Sequence, residues 1–391
     1  MRFSSLTDRV KGGSADVWDS HYLAKAAQAR GEDVIVLSVG DPDFATPAAV
    51  IDKAVEAMRE GDTHYTSISG SAALRECIAA RHRERSGQAV EAGNVITTSG
   101  AQNALFACSL CIAEAGDEVI VLQPMYVTYE ATVKVAGATL VPVVLNAEKG
   151  FRLDVDVLKA AINERTRAIF YASPSNPTGI SLNREELKAI AELAVAHDLW
   201  VVADEVYADF VFEEEFEHMA GLPGMAERCI SIGSMSKSYA MSGWRLGWIV
   251  APLELIANLE KLALCMLYGL PGFIQQASLY ALQHCQQDLQ HMRDVYHRRR
   301  DFLYQAFTDI KGLRPLKPDA GMFLMLNVAD TGLSSPEFVR QLYQHSGVSV
   351  LDATAFGASA AGYVRVSYTV ADAELEEAAK RIRAFVEGLQ Q

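Results

Sequence analysis

Residues 234–247 read Ser-Met-Ser-Lys-Ser-Tyr-Ala-Met-Ser-Gly-Trp-Arg-Leu-Gly, a stretch that predicts a ligand site just before a buried strand. Lys237 directly follows Ser236, three residues after Ser234 and eight residues before Arg245. A lysine amine can form a Schiff base with an aldehyde, and hydroxyls with a fixed arginine bind phosphate oxygens. The stretch therefore predicts a phosphorylated aldehyde, pyridoxal phosphate, as cofactor. Taken alone, it is equally consistent with a turn that holds a solvated lysine.

The composition is that of an ordinary globular protein, with 391 residues of which 50% are hydrophobic and 21% charged. This length exceeds what one hydrophobic core usually supports, so we expect a large domain and a smaller one. The formal net charge of -14 argues against nucleic acid or an anionic membrane as the main partner. The basic run of residues 297–300 is interpreted as a solvated helix face.

Residues 1–13 contain no apolar segment typical of a signal peptide, and no later stretch is apolar for long enough to span a bilayer. The six cysteines do not form a pattern typical of a disulfide framework. Cys108 and Cys111 have a spacing found in metal sites, but they lie in an apolar helical pattern and are interpreted as buried. We expect a cytoplasmic protein without a metal site.

Short apolar runs alternate with helical patterns along most of the chain. The runs that predict strands of one sheet are residues 95–98, 118–122, 140–144, 168–171, 200–203, 229–232 and 244–250. This alternation predicts an α/β fold with a mostly parallel seven-stranded sheet flanked by helices. Residues 244–250 follow the preceding strand too closely for a parallel crossover, so this strand is expected to run antiparallel.

A smaller α+β domain is predicted from the remaining segments. Long helical patterns occupy residues 253–307, and shorter strands and helices follow them. We expect the N-terminal segment to pack on this C-terminal part. The predicted division is a large cofactor-binding domain of residues 46–285 and a small domain of residues 1–45 and 286–391.

A pyridoxal ring needs a carboxylate beside its nitrogen, because a protonated nitrogen keeps the ring electrophilic. Asp204 ends the predicted strand at residues 200–203, where ligand-binding side chains emerge from a parallel sheet. Glu205 is the alternative, but adjacent side chains of a strand point to opposite faces, so only one can face the ring. Asn176 and Tyr207 are candidate hydrogen-bond donors to the phenolic oxygen of the ring.

The cofactor phosphate needs backbone amides in addition to a cation. Gly100, Ala101 and Gln102 lie between a predicted strand and a predicted helix. A helix N-terminus offers free N–H groups and the positive end of the helix dipole to an anion. The junction therefore predicts a phosphate-binding turn, although most such turns bind nothing.

In their order along the chain, these motifs resemble those of the class I/II aminotransferases, a family of fold type I pyridoxal phosphate enzymes. The resemblance covers essentially the whole chain. The motifs that carry it are Gly40-Asp-Pro-Asp-Phe, Tyr65, Ser99-Gly-Ala-Gln, Tyr126, Asn176-Pro-Thr-Gly, Asp204-Glu-Val-Tyr, Ser-Met-Ser-Lys237, Arg245 and Arg365-Val-Ser. Each motif is weak alone, but their order is specific.

The resemblance implies a role for each matching residue. Lys237 would carry the cofactor covalently and move a proton, Asp204 would pair with the ring nitrogen, and Tyr126 would stack on the ring. Asn176 and Tyr207 would bond the phenolic oxygen. The residues that would hold the phosphate are Gly100, Ala101, Gln102, Ser234, Ser236 and Arg245, with Tyr65 of the partner subunit.

The resemblance also implies how the amino acid binds. Arg365 would hold the substrate α-carboxylate, since planar carboxylates favour arginine, and Gly40 would let the backbone approach the same group, with Asn176 also close. A site shared across a two-fold axis makes a homodimer the expected unit. The expected reaction is a ping-pong transfer of an amino group from an amino acid to a 2-oxo acid.

Four stretches resemble the arginine:pyruvate transaminases within this family: residues 18–22, 37–44, 124–130 and 262–269. L-Arginine and pyruvate are therefore the expected substrates. A guanidinium needs an acidic partner, and Asp16 and Asp19 are the candidates, although each can equally be a surface carboxylate or helix cap. Gly272 departs from the pattern, because a charged residue is expected there.

Two other activities on the same scaffold stay open. Residues 125 and 266–268 are hydrophobic and suit a pocket for aromatic or aliphatic amino acids. A carbon–sulfur β-lyase would use the same cofactor with different leaving-group chemistry. A pyridoxal phosphate-sensing regulator is disfavoured, because such proteins carry a basic DNA-binding domain before the fold and this chain is acidic.

Overall fold

The computed structural model describes residues 1–10 and 18–389. Its strands are β1 Ile35–Val36, β2 Val95–Thr98, β3 Glu118–Gln123, β4 Thr139–Val144, β5 Thr166–Ala172, β6 Trp200–Asp204, β7 Cys229–Ser234, β8 Gly247–Val250, β9 Arg314–Leu316, β10 Phe323–Asn327, β11 Val348–Ser349, β12 Leu351–Asp352 and β13 Tyr363–Ser367. Its helices are α1 Ser5–Arg9, α2 Asp19–Ala29, α3 Ala48–Arg59, α4 Ala72–Ser86, α5 Ala101–Ile112, α6 Tyr129–Val135, α7 Val155–Ala161, α8 Arg184–Ala196, α9 Met235–Ser238, α10 Leu253–Met266, α11 Gly272–His284, α12 Gln286–Thr308, α13 Ser335–Ser346 and α14 Asp372–Gly388.

The large sheet has seven strands in the order β2-β8-β7-β6-β5-β3-β4. Strands β3 to β7 pair in parallel, and β8 runs antiparallel to both β2 and β7. The prediction of a mostly parallel seven-stranded α/β sheet with one antiparallel strand is confirmed. Strand β8 begins at Gly247 rather than Trp244, because residues 242–244 form a 3₁₀ turn and Arg245 has a φ of 56°.

The second part of the fold is the predicted smaller α+β unit. Strands β12-β13-β10-β9 form an antiparallel sheet, and β1 pairs in parallel with β11. This pairing attaches the N-terminal segment to the C-terminal part of the chain, as expected. The predicted domain boundary at residues 285 and 286 falls between α11 and α12, and the division itself stays a prediction.

The basic run on α12 is not a solvated face, so this interpretation is wrong for two of its residues. Arg300 is fully buried and donates to the carboxylate of Glu213 and to the Pro318 carbonyl, at 2.7–3.0 Å. Arg299 is also buried and binds Asp43 and Asp372. A charge pattern could not reveal this, because both arginines are paired with residues distant in sequence.

The sheet determines where a ligand can bind. Parallel strands bring their carboxyl ends to one edge, and side chains that follow those ends converge there. Asp204 ends β6, while the segments after β5 and β7 carry Asn176 and Lys237. In the described parts of the chain, residues 1–10 and 18–389, none of the helices has the length and apolar character needed to cross a membrane.

Candidate active site

A cavity of about 240 Å³ lies at this edge of the sheet and gathers most of the predicted site residues. The predicted residues that line it are Gly40, Ala101, Gln102, Tyr126, Asn176, Asp204, Tyr207, Ser234, Ser236, Lys237, Arg245 and Arg365. They come from both the large sheet and the smaller unit. Residues more than 300 positions apart in the sequence thus share one chamber.

Lys237 lies in the short helix α9, directly after β7. Its Nζ donates a hydrogen bond to the Gly40 carbonyl at 2.7 Å. Burial lowers the pKa of Lys237 to about 8, against the opposing effect of Asp41. At Gly40 a Cβ would lie 2.0 Å from the Phe323 ring, so only glycine lets this carbonyl reach the lysine. The amine is therefore held in the cavity and is partly neutral near pH 8.

Asp204 is 5% exposed at the end of β6. Burial raises its pKa to about 6, while a hydrogen bond from the Tyr129 hydroxyl at 2.7 Å favours the ionised form. Glu205, the next residue, is on the other side, where its carboxylate lies 3.0 Å from Nδ1 of His218. The alternation of a strand therefore leaves Asp204 as the carboxylate that lines the cavity.

Arg365 lies on β13 with its guanidinium 4.1 Å from the Phe323 ring centre and 4.9 Å from that of Phe356. It donates to Asn176 Oδ1 at 2.7 Å and to the Ser38 carbonyl at 2.9 Å. Its Nε is buried without a hydrogen-bond partner. Burial lowers the pKa of Arg365 to about 10, so it stays charged at neutral pH. A buried cation with an unused donor is suited to a carboxylate ligand.

A cup for an anion is formed where β7, β8 and α5 meet. Ser234 Oγ donates to Ser236 Oγ at 2.9 Å, and the guanidinium of Arg245 lies against Gly100. A Cβ on Gly100 would come within 2.4 Å of Arg245 Nη2, and this residue has a φ of 79°. Glycine is needed at this position for space and for backbone conformation alike.

The first turn of α5 completes this cup. Ala101 and Gln102 line the cavity, and the Gln102 side chain is held by Thr128 at 2.6 Å and Thr132 at 3.1 Å. The amides of a helix N-terminus, two hydroxyls and an arginine are the donor set that phosphate binding requires. These residues could therefore hold the phosphate of a cofactor in the cavity that Lys237 also lines.

Three other predicted site residues lie outside the cavity wall or outside the described residues. Tyr65 is 86% exposed, and its ring packs on Tyr268 with centres 5.0 Å apart. Asp19 is exposed in the first turn of α2 and does not line the cavity. Asp16 lies outside the described residues. At Gly272 a Cβ would lie 1.8 Å from Asp62 Oδ1, so the charged residue expected there would have to displace the Asp62 carboxylate.

Sequence reasoning missed four aromatic residues of the site. Tyr129 bonds Asp204, while Phe323 and Phe356 enclose Arg365 and line the cavity together with Trp18. Tyr129 follows Tyr126 by three residues at a strand-to-helix junction, a signal that could have been used. The sequence pattern gave no comparable signal for the other three, because they reach the cavity through tertiary packing.

The sequence profile described as aminotransferase class I and II matches residues 32–382, which includes nearly every residue of this cavity. The chain belongs to this family. As an aminotransferase, it is an enzyme that transfers an amino group, and the prediction of the family from the ordered motifs is confirmed. The match spans both the large sheet and the smaller unit.

Relatives of this aminotransferase have several different substrates in their names. It is 50% identical to arginine–pyruvate transaminase AruH of Pseudomonas aeruginosa, over 98% of this chain and 97% of that protein. Aspartate aminotransferase from Thermus thermophilus, solved with maleate, superposes with a TM-score of 0.93 at 31% identity, over 98% and 100% of the two chains. An aromatic aminotransferase from Pyrococcus horikoshii superposes at 0.89 with 34% identity, over 94% and 99%.

Proposed function

We propose that this aminotransferase uses pyridoxal phosphate to move the α-amino group of L-arginine to pyruvate. The observation that supports this best is one cavity that contains a reactive amine, a carboxylate and a buried arginine, namely Lys237, Asp204 and Arg365. Amino-group transfer needs an amine that attaches the cofactor, a carboxylate beside the ring nitrogen and a cation that binds the substrate carboxylate. Lys237, Asp204 and Arg365 are the respective candidates.

Each residue proposed to bind the cofactor would contact a different part of it. Lys237 is the attachment point, and the carboxylate of Asp204 would hold a proton on the ring nitrogen through its negative charge. Tyr207 and Asn176 would donate to the phenolic oxygen, while Tyr126 would cover the ring face. When bound, pyridoxal phosphate supplies an electron sink for the charge that develops at the substrate Cα.

The phosphate would be held by the cup described above. The donors are the amides of Ala101 and Gln102, the hydroxyls of Ser234 and Ser236, and the Arg245 guanidinium, while the Gly100 amide donates to the Thr98 carbonyl at 2.8 Å. Fixed donors of this kind anchor the cofactor without taking part in proton transfer.

The substrate would be oriented by its α-carboxylate. Arg365 offers an unused Nε donor in a buried setting, and the backbone at Gly40 approaches the same region through its contact with Lys237. With the carboxylate fixed, Nζ of Lys237 is positioned to remove the Cα proton of the substrate. The same amine would then deliver the proton to the aldehyde carbon of the cofactor.

Arginine and pyruvate are proposed from the relative with 50% identity over nearly the full length. The other relatives act, by their names, on aspartate or aromatic amino acids at 31–34% identity. Their scaffolds superpose closely on this one, so the shared fold by itself does not select a donor.

A half-reaction screen tests both parts of this proposal. Enzyme loaded with pyridoxal phosphate is mixed with arginine, aspartate, tyrosine, leucine or cystathionine, and the absorbance change of the bound cofactor is followed. Arginine should react fastest, and pyruvate should restore the starting spectrum. A faster reaction with another donor would replace arginine, and pyruvate release from cystathionine without an acceptor would indicate a β-lyase.

Two lysine variants control the screen. Lys237→Ala should abolish the reaction and the spectrum of the attached cofactor, since no other amine occupies its position. Lys261→Ala removes an exposed lysine on α10 and should leave both unchanged. Turnover by Lys237→Ala at the wild-type rate would contradict the proposed role of this lysine.

We also propose that the active unit is a homodimer in which Tyr65 of one subunit completes the phosphate cup of the other. Tyr65 is 86% exposed in the single chain, beside the half-exposed Tyr268. Large apolar side chains exposed together are typical of a surface that is covered by a partner.

A further inference from the structure

An arginine donor brings a guanidinium into the cavity, and this inference rests on the proposed function. A guanidinium is recognised by a carboxylate or by the face of an aromatic ring. Among the described residues that line the cavity, Asp204 is the sole acidic side chain. It accepts a hydrogen bond from Tyr129 and is assigned to the ring nitrogen, so it is not available to the donor side chain.

The aromatic residues of the cavity wall differ in which group already packs against their rings. Phe323 and Phe356 hold the guanidinium of Arg365 between them. Tyr126 and Tyr207 have proposed roles against the cofactor. Trp18 lines the same cavity. Within the described residues, it is the aromatic residue of the cavity wall that neither packs on Arg365 nor has a proposed contact with the cofactor.

The position of Trp18 is fixed relative to the carboxylate receptor. Trp18 packs against His21 with ring centres 5.8 Å apart and planes at 83°. Nδ1 of His21 lies 2.9 Å from Ser38 Oγ, and the Ser38 carbonyl accepts from Arg365 at 2.9 Å. A short chain of contacts therefore joins the indole to the arginine proposed to bind the α-carboxylate.

His21 supports this arrangement as a neutral ring. Burial lowers its pKa, and the charges of Lys25 and Arg365 add to that effect. A neutral imidazole can keep the hydrogen bond to Ser38 at neutral pH without adding a cation that would repel a guanidinium. The N-terminal part of α2 thus presents an aromatic group to the cavity, and His21 adds no positive charge near it.

We propose that Trp18 binds the guanidinium of the amino donor on its indole face and so makes the enzyme selective for a cationic side chain. Tryptophan is the strongest of the aromatic side chains in this contact. The indole is partly buried and packs against a hydrophobic core cluster, so the contact is partly shielded from water. It would add selectivity without a buried carboxylate.

Citrulline provides the test, because it has nearly the shape of arginine but a neutral side chain. The ratio of kcat/KM for arginine to that for citrulline is measured in the half-reaction with wild-type enzyme, Trp18→Leu and Trp18→Phe. Loss of a partly shielded cation–π contact should lower the ratio about tenfold in Trp18→Leu. Trp18→Phe keeps a weaker ring and should lower it less, and it serves as the test if the leucine variant does not fold.

Tyr22→Leu is the matched control, since Tyr22 is 66% exposed on the same helix and also packs on His21. Its ratio should equal that of the wild type. An unchanged ratio in Trp18→Leu, including the case in which kcat/KM falls equally for arginine and citrulline, would overturn the inference, because the indole would then provide packing alone. If the wild type does not react with arginine, the proposed donor is wrong and the inference falls with it.

Discussion

Lys237 and Asp204 carry opposite charges in water, and burial shifts the pKa of each in the direction that favours its neutral form. The pKa of Lys237 falls to about 8 and that of Asp204 rises to about 6. Neighbouring groups oppose both shifts, since Asp41 favours the charged lysine and Tyr129 favours the charged aspartate. Both residues are therefore sensitive to single substitutions around them.

The rate at which pyridoxal phosphate attaches to the cofactor-free enzyme should rise with pH through about 8, because the neutral amine of Lys237 is the nucleophile. Asp41→Asn removes a charge that raises this pKa, so the midpoint should move to lower pH. The absorbance of the attached cofactor measures the rate. Asp52→Asn, an exposed carboxylate on α3, should keep the wild-type midpoint, and an unmoved midpoint in Asp41→Asn would contradict the assignment.

Tyr129→Phe removes a hydrogen bond that stabilises ionised Asp204, so the pKa of Asp204 should rise further. The acid limb of the kcat/KM profile should then move to higher pH, with about a tenfold loss at neutral pH from one charge-assisted bond. Tyr368→Phe also removes a buried hydroxyl, which donates to the Gly321 carbonyl at 2.9 Å. It should leave the acid limb in place, and a loss in Tyr129→Phe without a pH shift would indicate a packing role.

At the scale of single elements, the junction between β2 and α5 is the clearest case of a segment built for a ligand. Gly100 precedes α5 and approaches Arg245 and Gly247 closely, so the backbone, the arginine and β8 meet at one point. The sequence predicted the helix start, but the need for glycine follows from a contact across 145 residues.

Gly100→Ala should weaken pyridoxal phosphate binding by about tenfold or more, since a Cβ 2.4 Å from Arg245 Nη2 must displace the guanidinium. Gly87→Ala is the matched control, because Gly87 has a similar φ of 73° and nothing within 4 Å of its Cβ position. Both variants should lose about 1 kcal/mol of stability from backbone strain. Equal cofactor affinity in the two, measured by titration, would show that the cup tolerates the added methyl group.

At the scale of the whole molecule, buried arginines of α12 connect parts of the chain that surround the site. Arg299 binds Asp43, in the segment after Gly40, and Asp372 at the start of α14. Arg300 binds Glu213, in the segment that follows β6, and holds the pKa of this carboxylate at about 2. The helix thus pairs with the segments that follow Gly40 and β6, both of which contribute residues to the cavity.

Arg300→Leu should lower the free energy of unfolding by about 2–4 kcal/mol, because it removes one of the cations paired with Glu213 and leaves the Pro318 carbonyl without its arginine donor. Arg298→Leu, two positions earlier, breaks a pair whose side chains are 60% and 50% exposed and should cost less than about 1 kcal/mol. Urea unfolding measures both. Similar values for the two variants would mean that burial does not distinguish these arginines.

The proposed dimer predicts complementation between a subunit that lacks the amine and a subunit that binds the cofactor weakly. Lys237→Ala lacks the amine, and Tyr65→Ala should bind cofactor about tenfold more weakly, as expected for loss of a hydrogen bond to a charged phosphate. Refolding the two together should form a mixed dimer with one complete site, and at a cofactor concentration too low to load Tyr65→Ala its activity should exceed the sum of the separate parents. Activity equal to that sum would place the whole site within one subunit.

The sequence by itself determined the fold class, the family and most of the residues that meet in the cavity. Strand and helix patterns arise from local periodicity, and polar side chains after parallel strands converge on one edge whatever the details of packing. Asp204 was predicted on this basis, whereas Lys237 was predicted from the motif around it and Asn176 as a hydrogen-bond donor to the cofactor ring. The roles proposed for them await the experiments above.

Only the tertiary structure decided how side chains from distant segments pair. It buried Arg299 and Arg300, which the charge pattern had predicted on a solvated face, and brought Tyr129 to Asp204. It also lined the cavity with Trp18 and left Asp19 exposed. Burial and pairing depend on contacts across tens to hundreds of residues, and a pattern along the chain does not specify which individual side chains meet.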